Sequence, residues 1–128
     1  MGVEKKTILT YGIKVPAKEI IEFIKIKIGR KKYDEKYWFE DFLYQMEYIG
    51  IDSPMNYIDG PTDNDDHVYI GIKKGIEVGE VFNVNPYILI SEYNRIFTKE
   101  IKTFLYPFFE GKELELVAEK LLVRVVWK

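Results

Sequence analysis

Hydrophobic and polar positions alternate from Thr7 to Val15, with Leu9, Tyr11, Ile13 and Val15 on one side and Ile8, Thr10, Gly12 and Lys14 on the other. Successive side chains of an extended chain project to opposite faces, so this stretch predicts a strand with most of its apolar bulk on one face. Pro16 follows, and its fixed φ and missing amide proton suit the first position of a helix. The period then changes. Ala17, Ile20, Ile21, Ile24 and Ile28 recur at helical spacing and predict a helix running to about Ile28, closed by Gly29. Asp34 is placed to cap a second helix, with Trp38, Phe39, Phe42, Met46 and Ile49 as its stripe and Gly50 at its end.

Neither period survives between Ile51 and Asp66. Pro54, Gly60, Pro61 and five Asp residues predict the longest loop of the chain there. Alternation resumes over His67 to Lys73, with Val68, Ile70 and Ile72 facing one way and His67, Tyr69 and Lys73 the other. Lys74-Gly75 and Gly79 supply turn residues, and the β-branched stretch Val81 to Val84 reads as the returning strand of a hairpin. For the next helix two starts are open: Asn85-Pro86 as cap and first-turn proline, or Ser91 as cap after an extended Tyr87 to Ile90. Tyr93, Ile96, Phe97, Ile101, Phe104, Leu105 and Phe108 keep helical spacing, with Pro107 ending or bending the helix near Leu105. The closing Leu-Leu-Val-Arg-Val-Val-Trp fits either period, but its β-branched and aromatic content favours a last strand from about Lys120 to Trp127.

The resulting order β, α, α, β, β, α, β predicts one α+β domain over residues 1–128. It is a ferredoxin-like βαββαβ arrangement with an extra helix in the first crossover, in which helices cover one face of an antiparallel sheet. A chain of 128 residues can bury a core of its own without a metal or disulfide staple. It contains no cysteine, which removes thiolate chemistry and disulfide frameworks and fits a reducing, intracellular setting. The polar Met1 to Lys6 and the absence of a long apolar run give no expectation of a signal or membrane segment.

Charge narrows the function classes. Lys and Arg total 19 against 21 Asp and Glu, so no general attraction to phosphate backbones is built in. A local patch is present: Lys25, Lys27, Arg30, Lys31, Lys32 and Lys36 lie beside Tyr33, Tyr37 and Trp38, an aromatic-basic mix suited to nucleic acid. Cations in the last turn of a helix also simply complement its dipole.

The strongest polar cluster is Asp59, Asp63, Asp65, Asp66 and His67. As an EF-hand loop it fails from either start: counting from Asp63 places Lys74 where the bidentate Glu belongs, and counting from Asp59 places Pro61 at the third ligand position. Turn-forming Asp residues in a solvated loop explain it better, so no metal site is expected. His67 is the single histidine, and neither Ser53 nor Ser91 sits in a nucleophile elbow. No Walker A loop or dinucleotide fingerprint occurs, and no catalytic residue or cofactor is expected. Gly71 to Gly75 has one residue too many for a KH-type clamp. Val68 to Ile72 resembles the shorter aromatic strand motif of RNA-recognition motifs but lacks its partner motif and its place before a helix.

The aromatics point to an interaction surface. Tyr37, Trp38 and Phe39 are consecutive, and helical neighbours diverge by about 100°, so they cannot all face one core. Tyr106, Phe108 and Phe109 crowd Pro107 at a helix end. Tyr37, Trp38, Tyr106, Phe108 and Phe109 are therefore the candidate interface, and a homodimer is its simplest use.

Tyr69-Ile-Gly-Ile72, Gly79-Glu-Val-Phe-Asn-Val-Asn-Pro86, the closing Val-Val-Trp-Lys and the Lys, Ile, Tyr and Asn bias resemble small proteins of large amoeba-infecting DNA viruses, such as the Marseillevirus group. That resemblance implies a viral accessory or virion-associated protein of the host cytoplasm. The expectation is a non-enzymatic interaction or structural protein that self-associates. A nucleic-acid-binding accessory using the Lys-rich patch is the alternative, and a divalent-metal-dependent enzyme centred on Asp63 to His67 the second.

Overall fold

A computed structural model describes residues 5–29, 33–76, 85–105 and 119–127. The alternating N-terminal stretch forms β1 (Lys5–Pro16), and the helix after it is α1 (Ala17–Ile28). Asp34 caps as expected, its side chain accepting from the Lys36 amide at 3.0 Å, but it starts a 3₁₀ turn, Glu35–Tyr37, that leads into α2 (Trp38–Tyr48). Gly29 and Gly50 follow the two helices with φ of 106° and 116°, a region open to glycine and strained for other residues.

The stretch Ile51 to Asp66 holds more structure than a loop. Pro54–Asn56 is a 3₁₀ turn, Ile58–Asp59 is a short strand, β2, and Thr62 and Asp65 form an isolated bridge. Two residues are too few for a period to register in the sequence, so β2 is legible only from its partner. That partner is β3 (His67–Ile76). The expected returning strand Val81 to Val84 lies outside the described residues.

Asn85 caps α3 (Pro86–Ile96), its side chain accepting from the Tyr87 amide at 3.0 Å, which settles the choice against Ser91. The continuous helix expected from Tyr93 onward is instead two helices, because Phe97 leaves helical geometry and α4 (Lys99–Leu105) starts afresh. Aromatic packing fixes the break: Phe97 stacks on Tyr93 at 4.7 Å and meets Tyr57 edge-on at 6.2 Å. β4 (Lys120–Trp127) is the predicted last strand.

The domain is thus α+β, with four α-helices among the described residues and a four-stranded sheet ordered β2-β3-β1-β4. Each neighbouring pair is antiparallel. Three of the expected strands are present as β1, β3 and β4, whereas β2 comes from the former loop, so the order β2-β3-β1-β4 among the described residues is not the expected ferredoxin-like one. On one face of the sheet Leu9, Ile13, Val15, Val68, Ile70 and Ile72 are buried together with Ile20, Phe23 and Ile24 of α1, and with Leu89 and Tyr93 of α3. Phe42 and Met46 join this core from α2, which meets Phe23 edge-on through Phe42 at 6.2 Å. The other face carries the polar half of the alternation.

Candidate functional site

On that face the register brings together Lys14 of β1, Asp59 of β2, and His67, Tyr69 and Lys73 of β3. Arg124 reaches them from β4. Its Nη2 donates to Asp59 Oδ2 at 2.7 Å and to Thr10 Oγ1 at 3.1 Å, and its guanidinium lies 4.1 Å over the Tyr69 ring. One side chain therefore touches a group from each of the other three strands. Lys73 Nζ donates to the second oxygen of Asp59 at 2.5 Å, so this carboxylate holds two cations. Burial would raise the Asp59 pKa, but hydrogen bonds from Lys73 and Arg124 outweigh it and hold the carboxyl below its ordinary value.

A second group adjoins the first. His67 Nδ1 donates to Asp65 Oδ1 at 2.9 Å, and the Tyr69 hydroxyl donates to Asp65 Oδ2. Burial acts to raise Asp65, and these two bonds overcome it, leaving its carboxyl lowered. Burial first, and then the bond to Asp65, pushes Tyr69 up to about 12.

Bare backbone makes room for these contacts. Gly12 and Gly71 face each other across β1 and β3. A Cβ on Gly12 would stand 2.0 Å from Ile70 O, and one on Gly71 would stand 2.1 Å from Tyr11 O. Both obstacles are backbone and cannot swing away.

Above the sheet lies a cleft of roughly 580 Å³, lined in part by Lys14, Asp63, Asp65, His67, Tyr69 and Arg124. Sequence proximity suggested the Asp63 to His67 cluster, and the structure uses it differently. Asp65 serves His67 and Tyr69, Asp59 serves Lys73 and Arg124, and no three His, Asp or Glu side chains converge on a metal position among the described residues. The cleft offers one imidazole nitrogen, Nε2, and the ammonium of Lys14, which stands 5.9 Å over the Tyr69 ring. Beside it, the contacts of Arg124 with Thr10, Asp59 and Tyr69 and of Lys73 with Asp59 form a clamp across the sheet.

Thr10, Lys14 and Arg124 are site residues that sequence reasoning missed, and Asp59, singled out there with Asp63 to His67, serves Lys73 and Arg124 instead. Polar residues interrupting apolar strands were the available signal. Nothing in the sequence says which of them meet, since Thr10 and Arg124 are 114 positions apart.

The Lys-rich patch is partly engaged. Lys25 pairs with Glu35 at 2.5 Å, and Lys27 lies 4.4 Å over the Phe104 ring and 5.6 Å over the Phe23 ring. Lys36 stands 5.5 Å over the Tyr37 ring. Arg30, Lys31 and Lys32 lie outside the described residues.

Of the candidate interface, Tyr37 is 50% exposed, whereas Trp38 packs partly buried against the core, edge-on to Phe39 at 5.5 Å. Tyr106, Phe108 and Phe109 lie outside the described residues. Exposed apolar side chains that the sequence reading did not single out include Tyr87 and Ile88 of α3 and two further surfaces. One is Tyr44 and Tyr48 of α2, and the other is Leu121, Val123 and Val125 of β4.

No known protein family, curated protein or solved structure matches the chain. Among the described residues no helix is long and apolar enough to cross a membrane.

Proposed function

We propose that the protein is a non-enzymatic interaction protein that forms a homodimer by pairing β4 with the β4 of a second copy. One observation carries this reading: Leu121, Val123 and Val125 are 45%, 55% and 49% exposed on an edge strand. They share the core face of the sheet, because β4 pairs Leu121 with Tyr11, Val123 with Leu9 and Val125 with Thr7. Among the described residues, the helices packed on the sheet leave these three side chains about half exposed. Its outer edge presents backbone amides and carbonyls with no strand beside them among the described residues, which is a template for another chain. The two charged side chains of β4, Lys120 and Arg124, belong to the opposite face and do not guard the apolar one.

Charge selects the register. Antiparallel self-pairing centred on Leu122 sets Lys120 opposite Arg124, a like-charge contact, whereas centring on Val123 sets Leu121 opposite Val125 and Val123 opposite itself. The second arrangement makes one continuous apolar stripe on an extended sheet.

Sedimentation velocity of the wild type is expected to show a dimer, and Val123→Lys a monomer with an unchanged circular dichroism spectrum. The cysteine-free chain permits a sharper test. Under mild oxidation Val123→Cys should cross-link to its own copy, because facing residues of paired strands bring Cα atoms within disulfide reach, while Leu121→Cys, about 14 Å from its copy, should not. A wild type that stays monomeric at high concentration, or equal cross-linking of both variants, overturns the assignment.

A further inference from the structure

α2 turns a different surface outward. Its core stripe is Phe42 and Met46, with Phe39 and Leu43 packed beside them. On the opposite side Tyr37, Tyr44 and Tyr48 are 50%, 67% and 79% exposed. At about 100° per residue Tyr44 and Tyr48 fall within an arc of about 40°, about 6 Å apart along α2, and Tyr37 ends the 3₁₀ turn that leads into the helix. Asp41 lies at the edge of that arc, and Glu40 and Glu47 lie along one flank.

The charge of this face is one-signed. Trp38–Tyr48 contains Glu40, Asp41 and Glu47 and no Lys or Arg. Among the described residues none of the three carboxylates has a cation within ion-pair distance, in contrast to Glu35, Asp59, Glu92 and Glu119. The field is felt at the start of the stripe, where burial and then Asp41, Glu35, Asp34 and Glu40 push the Tyr33 phenol up to about 12. The molecule also supplies an instance of the contact such a face favours, since Lys36 holds its ammonium 5.5 Å over the Tyr37 ring.

We infer that the outer face of α2 is a docking site for a Lys/Arg-rich segment of another protein, whose cations lie on the Tyr44 and Tyr48 rings while Glu40, Asp41 and Glu47 neutralise them. Aromatic rings give an amphipathic, rigid contact surface at low entropic cost, and their faces attract guanidinium and ammonium groups. Unpaired carboxylates alongside make the partner's charge positive and raise its rate of encounter. An extended chain covers the about 6 Å between Tyr44 and Tyr48 in about two residues, so a short basic run suffices. The surface is separate from the β4 edge, and the inference holds for monomer and dimer alike.

The test is fluorescence anisotropy of the full chain with a labelled octa-arginine peptide at low salt, and octa-glutamate as the opposite-charge control. Octa-arginine should bind and octa-glutamate should not. Tyr44→Ser/Tyr48→Ser, at positions too exposed to matter to the fold, should weaken binding about tenfold. Glu40→Gln/Glu47→Gln should weaken it similarly, while Asp52→Asn/Asp63→Asn, which removes the same charge elsewhere, should leave it near wild type. Absence of octa-arginine binding, equal binding by the tyrosine variant, or equal weakening by the Asp52/Asp63 pair overturns the assignment.

Discussion

At the scale of single residues, Gly12 and Gly71 are required for what they lack. Their strands approach so closely that a methyl group at either position meets a carbonyl oxygen of the facing strand, at 2.0 Å from Gly12 and 2.1 Å from Gly71. The only relief is to part β1 from β3, the pair at the centre of the sheet. Gly71→Ala is therefore expected to destabilise the protein by at least about 2 kcal/mol, read from the midpoint of urea unfolding. Unchanged stability would mean that the two backbones stand farther apart. The sequence displayed both glycines, but a glycine in a strand signals a bulge, a bend or a close approach without saying which. Arg124 makes the same point from the other side. Its place in an alternating strand was readable, while its partners Thr10, Asp59 and Tyr69 are set by register.

Elements were legible in proportion to their length and periodicity. β1, α1 and α2 carry long patterns with a proline, a cap or a glycine at an end, β4 a run of β-branched and aromatic residues, and each formed near its expected bounds. α3 rests on a local signal of the same kind. Asn85 supplies a side-chain acceptor to the Tyr87 amide, which would otherwise be one of the unpaired donors at the helix start. Asn85→Ala should cost about 1 kcal/mol by thermal or urea unfolding, while Asn85→Ser should restore most of it; equal stability of all three would remove the cap from the account. Three features escaped, the first being Lys74-Gly75, which was expected to turn the chain but continues β3 opposite Leu9 and Ile8. β2 is shorter than a detectable period, and the break at Phe97 leaves the spacing of Tyr93, Ile101 and Leu105 intact, so only ring stacking on Tyr93 reveals it.

For the whole molecule the clamp across the sheet predicts a stability profile with two flanks. Asp59 and Asp65 have lowered pKa values, so the stability they add is present at neutral pH and lost as pH falls from about 4 through their folded-state values. Tyr33 and Tyr69 are raised to about 12 from 10.0, so their contribution is intact below pH 10.0 and lost as pH climbs toward 12. Urea midpoints across a pH series should fall on both flanks. Absorbance at the phenolate band should show part of the ten tyrosines titrating late. All tyrosines ionising together near pH 10, with flat stability, would contradict this.

Binary pattern, punctuation by proline and glycine, and composition determined the fold class: an α+β domain whose strands each have one apolar face. These are local properties, decided by the geometry of a helix or a strand before anything packs. Which strand lies at the edge, which carboxylate meets which cation and which rings remain outside were decided by tertiary structure alone. Leu121, Val123 and Val125 read as core from their pattern. They are exposed, and among the described residues β4 has no strand on its outer side, a fact about the arrangement of elements that no stretch of sequence contains.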